Sequence, residues 1–130
     1  RNELRVAFRK QIVVEPTKLT VTTLDEQLLK KCVELIEANI ADPDFNVDEL
    51  CRGVGLSRSA VYKKVKSLTG LSVVEFIRSI RLKRAAQLLA QDKSSISDVM
   101  YQVGFNNRSY FSLRFKEEFG CNPNEYEVEE

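Results

Sequence analysis

Residues 95–120 read SISDVMYQVGFNNRSYFSLRFKEEFG, and their spacing predicts two helices joined by a sharp turn. Ile96, Val99, Met100 and Val103 recur at intervals of three and four, which places them on one helical face. Ser95 precedes that stripe and suits its cap, because a serine hydroxyl accepts a hydrogen bond from a free N–H of the first turn. Gly104 ends the helix where a left-handed residue is needed, Phe105 turns toward the core, and Asn106 or Asn107 caps a second helix. There Phe111, Phe115 and Phe119 stand four apart as a buried stripe, with Gly120 as the stop. The opposite face carries Arg108, Ser109, Ser112, Arg114 and Lys116. A short helix, a glycine turn and a donor-rich second helix are what a helix-turn-helix needs to enter a DNA major groove.

Upstream, the same pattern appears a first time. Val54, Gly55, Leu56 and Ser57 parallel Val103, Gly104, Phe105 and Asn106. Val61 and Val65 take the places of Phe111 and Phe115, and Thr69 and Gly70 those of Phe119 and Gly120. Glu75 and Phe76 lie as far past Gly70 as Glu125 and Tyr126 lie past Gly120. A recurrence at about fifty residues marks a repeated structural unit. Before the first copy, Asn46 caps a helix carrying Val47, Leu50, Cys51 and Val54, and Phe45 precedes the cap. Earlier still, a helix begins near Leu24 with Thr23 as cap and Asp25 and Glu26 at the positive end of its dipole. Leu28, Leu29, Cys32, Val33, Leu35, Ile36 and Ile40 form its apolar stripe, and Asp42, Pro43 and Asp44 stop it. Between the copies runs VVEFIRSIRLKRAAQLLAQD, a long helix with Phe76, Ile77, Ile80, Ala85, Leu88 and Leu89 toward the core. The expected fold is all-α, with about seven helices. It has a first helix-turn-helix at about 46–70, a linker helix at about 72–91 and a second helix-turn-helix at about 95–120.

At 130 residues the chain supports one compact domain or two very small ones. Hydrophobic content of 43% beside 30% charged residues is that of an ordinary globular protein, and no apolar run reaches membrane-span length. The first residue is Arg rather than Met, which suggests a fragment of a larger protein. Three irregularly spaced cysteines do not make a disulfide framework; Cys32, Cys51 and Cys121 read as small buried hydrophobes in a reducing, cytoplasmic setting. The net charge of +1 gives no basic excess, but the charges are unevenly placed. Arg58, Lys63, Lys64, Lys66, Arg78, Arg81, Lys83 and Arg84 face one acid, Glu75, between residues 57 and 84. Acids gather instead at Glu117 and Glu118 and in the tail. A basic middle and an acidic end suit a single DNA-facing surface; the plainer reading is that each base simply lies on a solvated helix face.

The run V-G-F-N-N-R-S-Y-F-S-L-R-F-K-E-E-F-G, followed by C-N-P-N-E-Y, resembles the second helix-turn-helix of the AraC/XylS transcription regulators. E-F-I-R-x-x-R-L-x-R-A-x-x-L-L in the long helix is similar to the linker helix joining the two halves of that family's DNA-binding domain. The likeness covers residues 35–126 and assigns 24–130 to such a domain. Three positions depart from the family pattern: Leu113 stands where Arg or Lys is usual, Arg114 where an apolar residue is usual, and Glu127 where Arg follows the last aromatic. Residues 1–23, with apolar and polar residues alternating around Glu15 and Pro16, read as short extended pieces or a loose hairpin. They resemble the segment that joins a receiver domain to an AraC-type domain in Bacteroides-like hybrid two-component sensors. The resemblance implies a cytoplasmic activator that binds promoter DNA, recruits RNA polymerase and is controlled by an upstream receiver or sensor domain. It also implies a homodimer in the full-length protein and a parent anchored in the inner membrane, with no membrane contact by this fragment.

On this reading Arg58, Ser59, Tyr62 and Lys63 of the first recognition helix, and Arg108, Ser109, Ser112 and Leu113 of the second, face DNA bases. Arg108 is suited to a bidentate contact with guanine O6 and N7, or equally to a phosphate clamp. Leu113 offers an apolar contact to a thymine methyl, or packs against neighbours such as Leu89. Lys64, Lys66, Arg78 and Lys116 read as phosphate contacts, with Ser57 and Asn107 at helix starts able to present backbone N–H groups. Tyr110 either packs its ring or reaches a phosphate with its hydroxyl. Catalysis finds no footing in the motifs: there is no histidine, no glycine-rich phosphate loop and no zinc-like cysteine spacing, so neither enzyme, metal nor cofactor is expected. The alternative is a helical protein-interaction module that keeps the fold without specific DNA binding.

Overall fold

A computed structural model describes residues 22–91 and 95–126; residues 1–21 of the linker expected at 1–23, and 127–130 of the acidic tail, lie outside the described residues, while Thr22 and Thr23 belong to the first helix. Thr22 opens the first helix. Its hydroxyl accepts from the Asp25 N–H at 3.0 Å, and the Asp25 carboxylate accepts from the Thr22 N–H at 3.3 Å. Helix α1 is therefore Thr23–Ala38, and Thr23, expected as the cap, is its first helical residue. The helix ends before Asp42 and Pro43, because the Asn39 side-chain amide donates to the Leu35 carbonyl at 2.8 Å and closes the last turn.

Asn46 caps α2 (Val47–Val54), and Ser57 caps α3 (Arg58–Thr69). A capping box between Ser72 and Glu75 starts the linker helix α4 (Val73–Gln91). Ser95 caps α5 (Ile96–Gln102), and Asn107, rather than Asn106, caps α6 (Arg108–Phe119). A 3-10 turn at Pro123–Glu125 follows. Six α-helices and this turn, with no strand among the described residues, make the all-α architecture expected at about seven helices.

Both helix-turn-helix joints close alike. The Leu56 N–H reaches back to the Cys51 carbonyl and the Gly55 N–H to Arg52; the Phe105 N–H reaches Met100 and the Gly104 N–H Tyr101. These are paired closing bonds around a left-handed glycine. The joints differ by one residue. Gly55 stands two positions before its cap Ser57, whereas Gly104 stands three before Asn107. The parallel of Ser57 with Asn106 is thus corrected by the extra residue, and it is α3 and α6 that repeat in register.

Two hydrophobic clusters lie along the molecule. In the first, Cys32 and Ile36 of α1, Leu50 and Cys51 of α2, and Val61 and Val65 of α3 meet Val73, Phe76, Ile77 and Ile80 of α4. In the second, Val99, Met100 and Val103 meet Phe105, Phe111, Phe115, Phe119 and Tyr126 against Leu82, Ala85 and Ala86 of α4. One end of α4 thus serves the first cluster and the other end the second. Most of its middle is buried on both sides, so it lacks the single apolar stripe of a surface helix. Leu28, Leu29, Val33, Leu35 and Ile40, expected in the α1 stripe, are only partly buried at the rim of the first cluster, and Cys121 is partly buried against the second.

Candidate nucleic-acid interface

The buried sides of α3 and α6 fix what each helix can offer outward. Val61, Val65 and Leu68 point inward from α3, which leaves Arg58, Ser59, Tyr62, Lys63 and Lys66 exposed. Arg58 is already organised. Its guanidinium donates to the Tyr62 hydroxyl at 2.7 Å and lies 3.1 Å from the Asp48 carboxylate of α2. The Tyr62 hydroxyl, and then the Asp48 charge, push Arg58 above its ordinary range, so it remains a cation. Because that ion pair is exposed, exchanging Asp48 for a DNA acceptor costs little. Lys63 and Lys66 flank Tyr62 beside Ser72, Val73 and Val74 at the start of α4. Lys66 also donates to the Gly70 carbonyl at 2.9 Å, at the negative end of α3. Lys64 is directed elsewhere: it holds Asp25 of α1 at 2.9 Å, away from its expected companions on the DNA-facing side.

On α6, Phe111, Phe115 and Phe119 point inward. Arg108, Ser109, Leu113 and Lys116 are exposed, and Ser112 is half-buried beside them. Arg108 donates to the Ser97 hydroxyl of α5 at 3.2 Å, a neutral partner that leaves its charge available. Leu113 is 55% exposed, so more than half of its surface stays available on the outward side. Tyr110 packs its ring 6.0 Å from Phe105, as one of its two readings expected, and is 41% exposed. Arg114 stacks over that ring at 5.2 Å and pairs with Glu117 at 2.9 Å, which commits it to its own helix.

Between the two faces, Arg78 of α4 lines a cleft of about 350 Å³ together with Asn46 of the first unit and Asn106 and Tyr110 of the second. Two more of the central bases, Arg81 and Lys83, were expected to belong to the basic surface. They do not: each is more than nine-tenths buried. Arg81 donates to the carbonyls of Ile40, Asp42 and Val103. Lys83 donates to Ser79 at 2.6 Å and lies 3.5 Å from Glu118, which also accepts from Ser79 at 2.9 Å. Burial lowers both groups from their ordinary values, opposed by Asp42 at Arg81 and by Glu118 at Lys83. Their signal in the sequence is positional. Arg81 stands four residues from both Ile77 and Ala85, on an apolar face, where a solvated arginine is out of place. No group of three or more metal-ligating side chains occurs among the described residues.

Residues 50–128 match the helix-turn-helix domain family, spanning both joints, the linker helix and the Tyr126 turn. The chain belongs to the AraC-type helix-turn-helix family. A solved AraC-type DNA-binding domain from Chromobacterium violaceum superposes on this AraC-type domain with a TM-score of 0.73, at 30% identity over 81% of this chain and 93% of that one. Histidine kinase P4 of Formosa agariphila is 40% identical over 127 residues, 98% of this chain but 9% of that protein. The transcriptional activator RhaR of Pectobacterium atrosepticum is 33% identical over 102 residues, 78% of this chain and 36% of that protein. The chain therefore spans about a tenth to a third of the length of these curated relatives. No helix among the described residues is long and apolar enough to cross a membrane.

Proposed function

We infer that this AraC-type domain reads double-stranded promoter DNA through two unlike recognition helices and serves as the output domain of a signalling protein. The observation that carries the reading is the pairing of outward faces: Arg58, Ser59, Tyr62 and Lys63 on α3, and Arg108, Ser109, Ser112 and Leu113 on α6, both anchored to the single helix α4. At 19 residues α4 is about 28 Å long, a rigid spacer suited to successive major grooves, about 34 Å apart on one side of B-DNA. Because the two faces differ, the site is asymmetric, and paired domains favour two such elements.

Arg108 and Arg58 supply the donors for base edges, Tyr62 and Leu113 the apolar contacts, and Lys63 with the three serines the adaptable ones. Ser57, Lys66, Arg78, Asn107, Tyr110 and Lys116 hold phosphates; Lys64 joins them only by releasing Asp25. That a relative alike over 98% of this chain is a histidine kinase supports a signalling parent, and the order we propose is sensor, receiver, linker and AraC-type domain. On that order the domain works in the cytoplasm beneath an inner-membrane sensor, dimerises with its parent and recruits RNA polymerase.

Selection from a random DNA library at low and near-physiological salt tests the reading. The expected result is a bipartite motif with half-sites about one helical turn apart. Strong binding without enrichment reduces the domain to a phosphate holder, and no binding at low salt favours the protein-interaction module.

A further inference from the structure

Among the described residues, Arg81 is the centre of a polar joint between the two halves. From α4 its guanidinium donates to the Ile40 and Asp42 carbonyls, in the loop that leaves α1, at 2.5 and 2.8 Å. The same guanidinium donates to the Val103 carbonyl, in the second helix-turn-helix joint, at 2.9 Å. One side chain therefore serves three backbone acceptors taken from both units; the Asp42 carbonyl accepts from the Phe45 N–H as well. A planar five-donor fork suits such a fan; an ammonium group, with a tetrahedral head, does not cover it equally.

The joint is shaped around Arg81. Gly104 has a left-handed backbone, φ 85°, and a Cβ added there would collide with the Arg81 guanidinium and with the Ile40 carbonyl oxygen. Gly55, its counterpart in the first joint, has φ 74° and nothing within 4 Å of the same position. The two glycines thus share a backbone requirement, and only Gly104 also makes room for the arginine.

We propose that the Arg81–Gly104 joint sets the distance and rotation between α3 and α6, and thereby the spacing of DNA half-sites that the domain accepts. Arg81 is a positioning residue; it is buried and reaches no base. One base pair of B-DNA advances about 3.4 Å and turns about 34°, so a change in relative helix placement of a few ångströms is a change of about one base pair in preferred spacing. The DNA consequence rests on the DNA-binding reading above, whereas the fixing of the two halves does not.

Two readouts on the full 130-residue chain separate these. Variants Arg81→Met and Gly104→Ala break the joint, and Gly55→Ala imposes the same left-handed strain without touching it. The first readout needs no DNA: residual dipolar couplings of backbone amides in α3 and α6. Wild type and Gly55→Ala are expected to fit one common alignment, and Arg81→Met and Gly104→Ala to require two. The second is affinity for the selected site with its spacer shortened or lengthened by one base pair. Wild type and Gly55→Ala should lose about tenfold on either change, within the range of a mismatched base pair, and the joint variants less than about threefold. Arg81→Met with Gly104→Ala should be no looser than either alone, since both remove one contact. Should Arg81→Met fail to fold, Arg81→Lys takes its place, with an intermediate loss of spacing preference. A single alignment and an unchanged spacer preference in both joint variants overturn the proposal. If wild type selects no motif, the DNA reading fails and the dipolar couplings alone decide whether the joint fixes the halves.

Discussion

In the first unit, α3 fills its side of the core with Val61, Val65 and Leu68; in the second, α6 does so with Phe111, Phe115 and Phe119. The difference in side-chain volume changes what else each unit needs. The valines leave space that Cys32 and Ile36 of α1 and Phe45 close, so the first unit carries an additional helix of 16 residues. The phenylalanines nearly suffice: Phe105, Phe111, Phe115 and Phe119 form a chain with ring centroids 5.1, 5.9 and 4.7 Å apart. Tyr126, edge-on to Phe115 at 5.7 Å, closes it from a three-residue 3-10 turn. The same glycine closure and the same recognition-helix length thus rest on two different cores. A repeated function preserves the frame of a repeat more strictly than its filling.

Phe115→Ala should show the largest effect, a loss of about 3–5 kcal/mol in urea unfolding, because three rings lose a common neighbour. Its counterpart Val65→Ala should cost less, about 2 kcal/mol; equal losses would mean that the two cores are energetically alike despite their contents. Next come the recognition faces. Arg108→Ala should remove about 1–3 kcal/mol of discrimination at one base pair, measured by competition between sites differing there. Smaller still, Thr22→Ala should lower stability by about 1 kcal/mol, read as a shift in the unfolding midpoint, since α1 loses half of its capping box. The Asp25 half of that box gives a pH signature confined to the first unit. Hydrogen bonding to Lys64, then to Thr22, holds the carboxyl below its ordinary value of 3.8. Its contribution is complete above that value and is lost as pH falls through the lower, folded one. Asp25→Asn should therefore be less stable at neutral pH and should show a flatter acid limb in a plot of Tm against pH.

The cysteines offer a gentler contrast. Burial, with the nearby Cys51, pushes the Cys32 thiol up to about 11, while Cys121 at the end of α6 is more open. Iodoacetamide at pH 8 should label Cys121 in the folded chain and reach Cys32 only as the first unit opens.

Most of the frame could be read from the sequence because its signals are local. Asn46, Ser57 and Ser95 cap the helices they precede, and the apolar periods of α3, α5 and α6 name their buried sides. The misreadings share a cause. Thr22 lies beside Thr23, and Asn107, one of the two caps expected, beside Asn106; only backbone geometry tells such neighbours apart. In the sequence Arg81 and Lys83 look like surface bases, because charge on a helix ordinarily means solvent. Their partners lie far off in the chain: the carbonyls of Ile40, Asp42 and Val103 carry no sequence signature, and Glu118 looks like any exposed acid. The same distance hides Lys64, whose partner Asp25 sits on another helix. The outward faces of α3 and α6 were legible, since they are what the buried stripes leave over.

On the proposed function, one rigid chain carries two unlike readers. The most direct test is library selection repeated with Arg58→Ala and with Arg108→Ala. The expected result is that each variant relaxes a different half of one bipartite motif and leaves the other half unchanged. If both variants relax the same half, or neither alters the selected sequence, then α3 and α6 are not separate readers and the account is wrong.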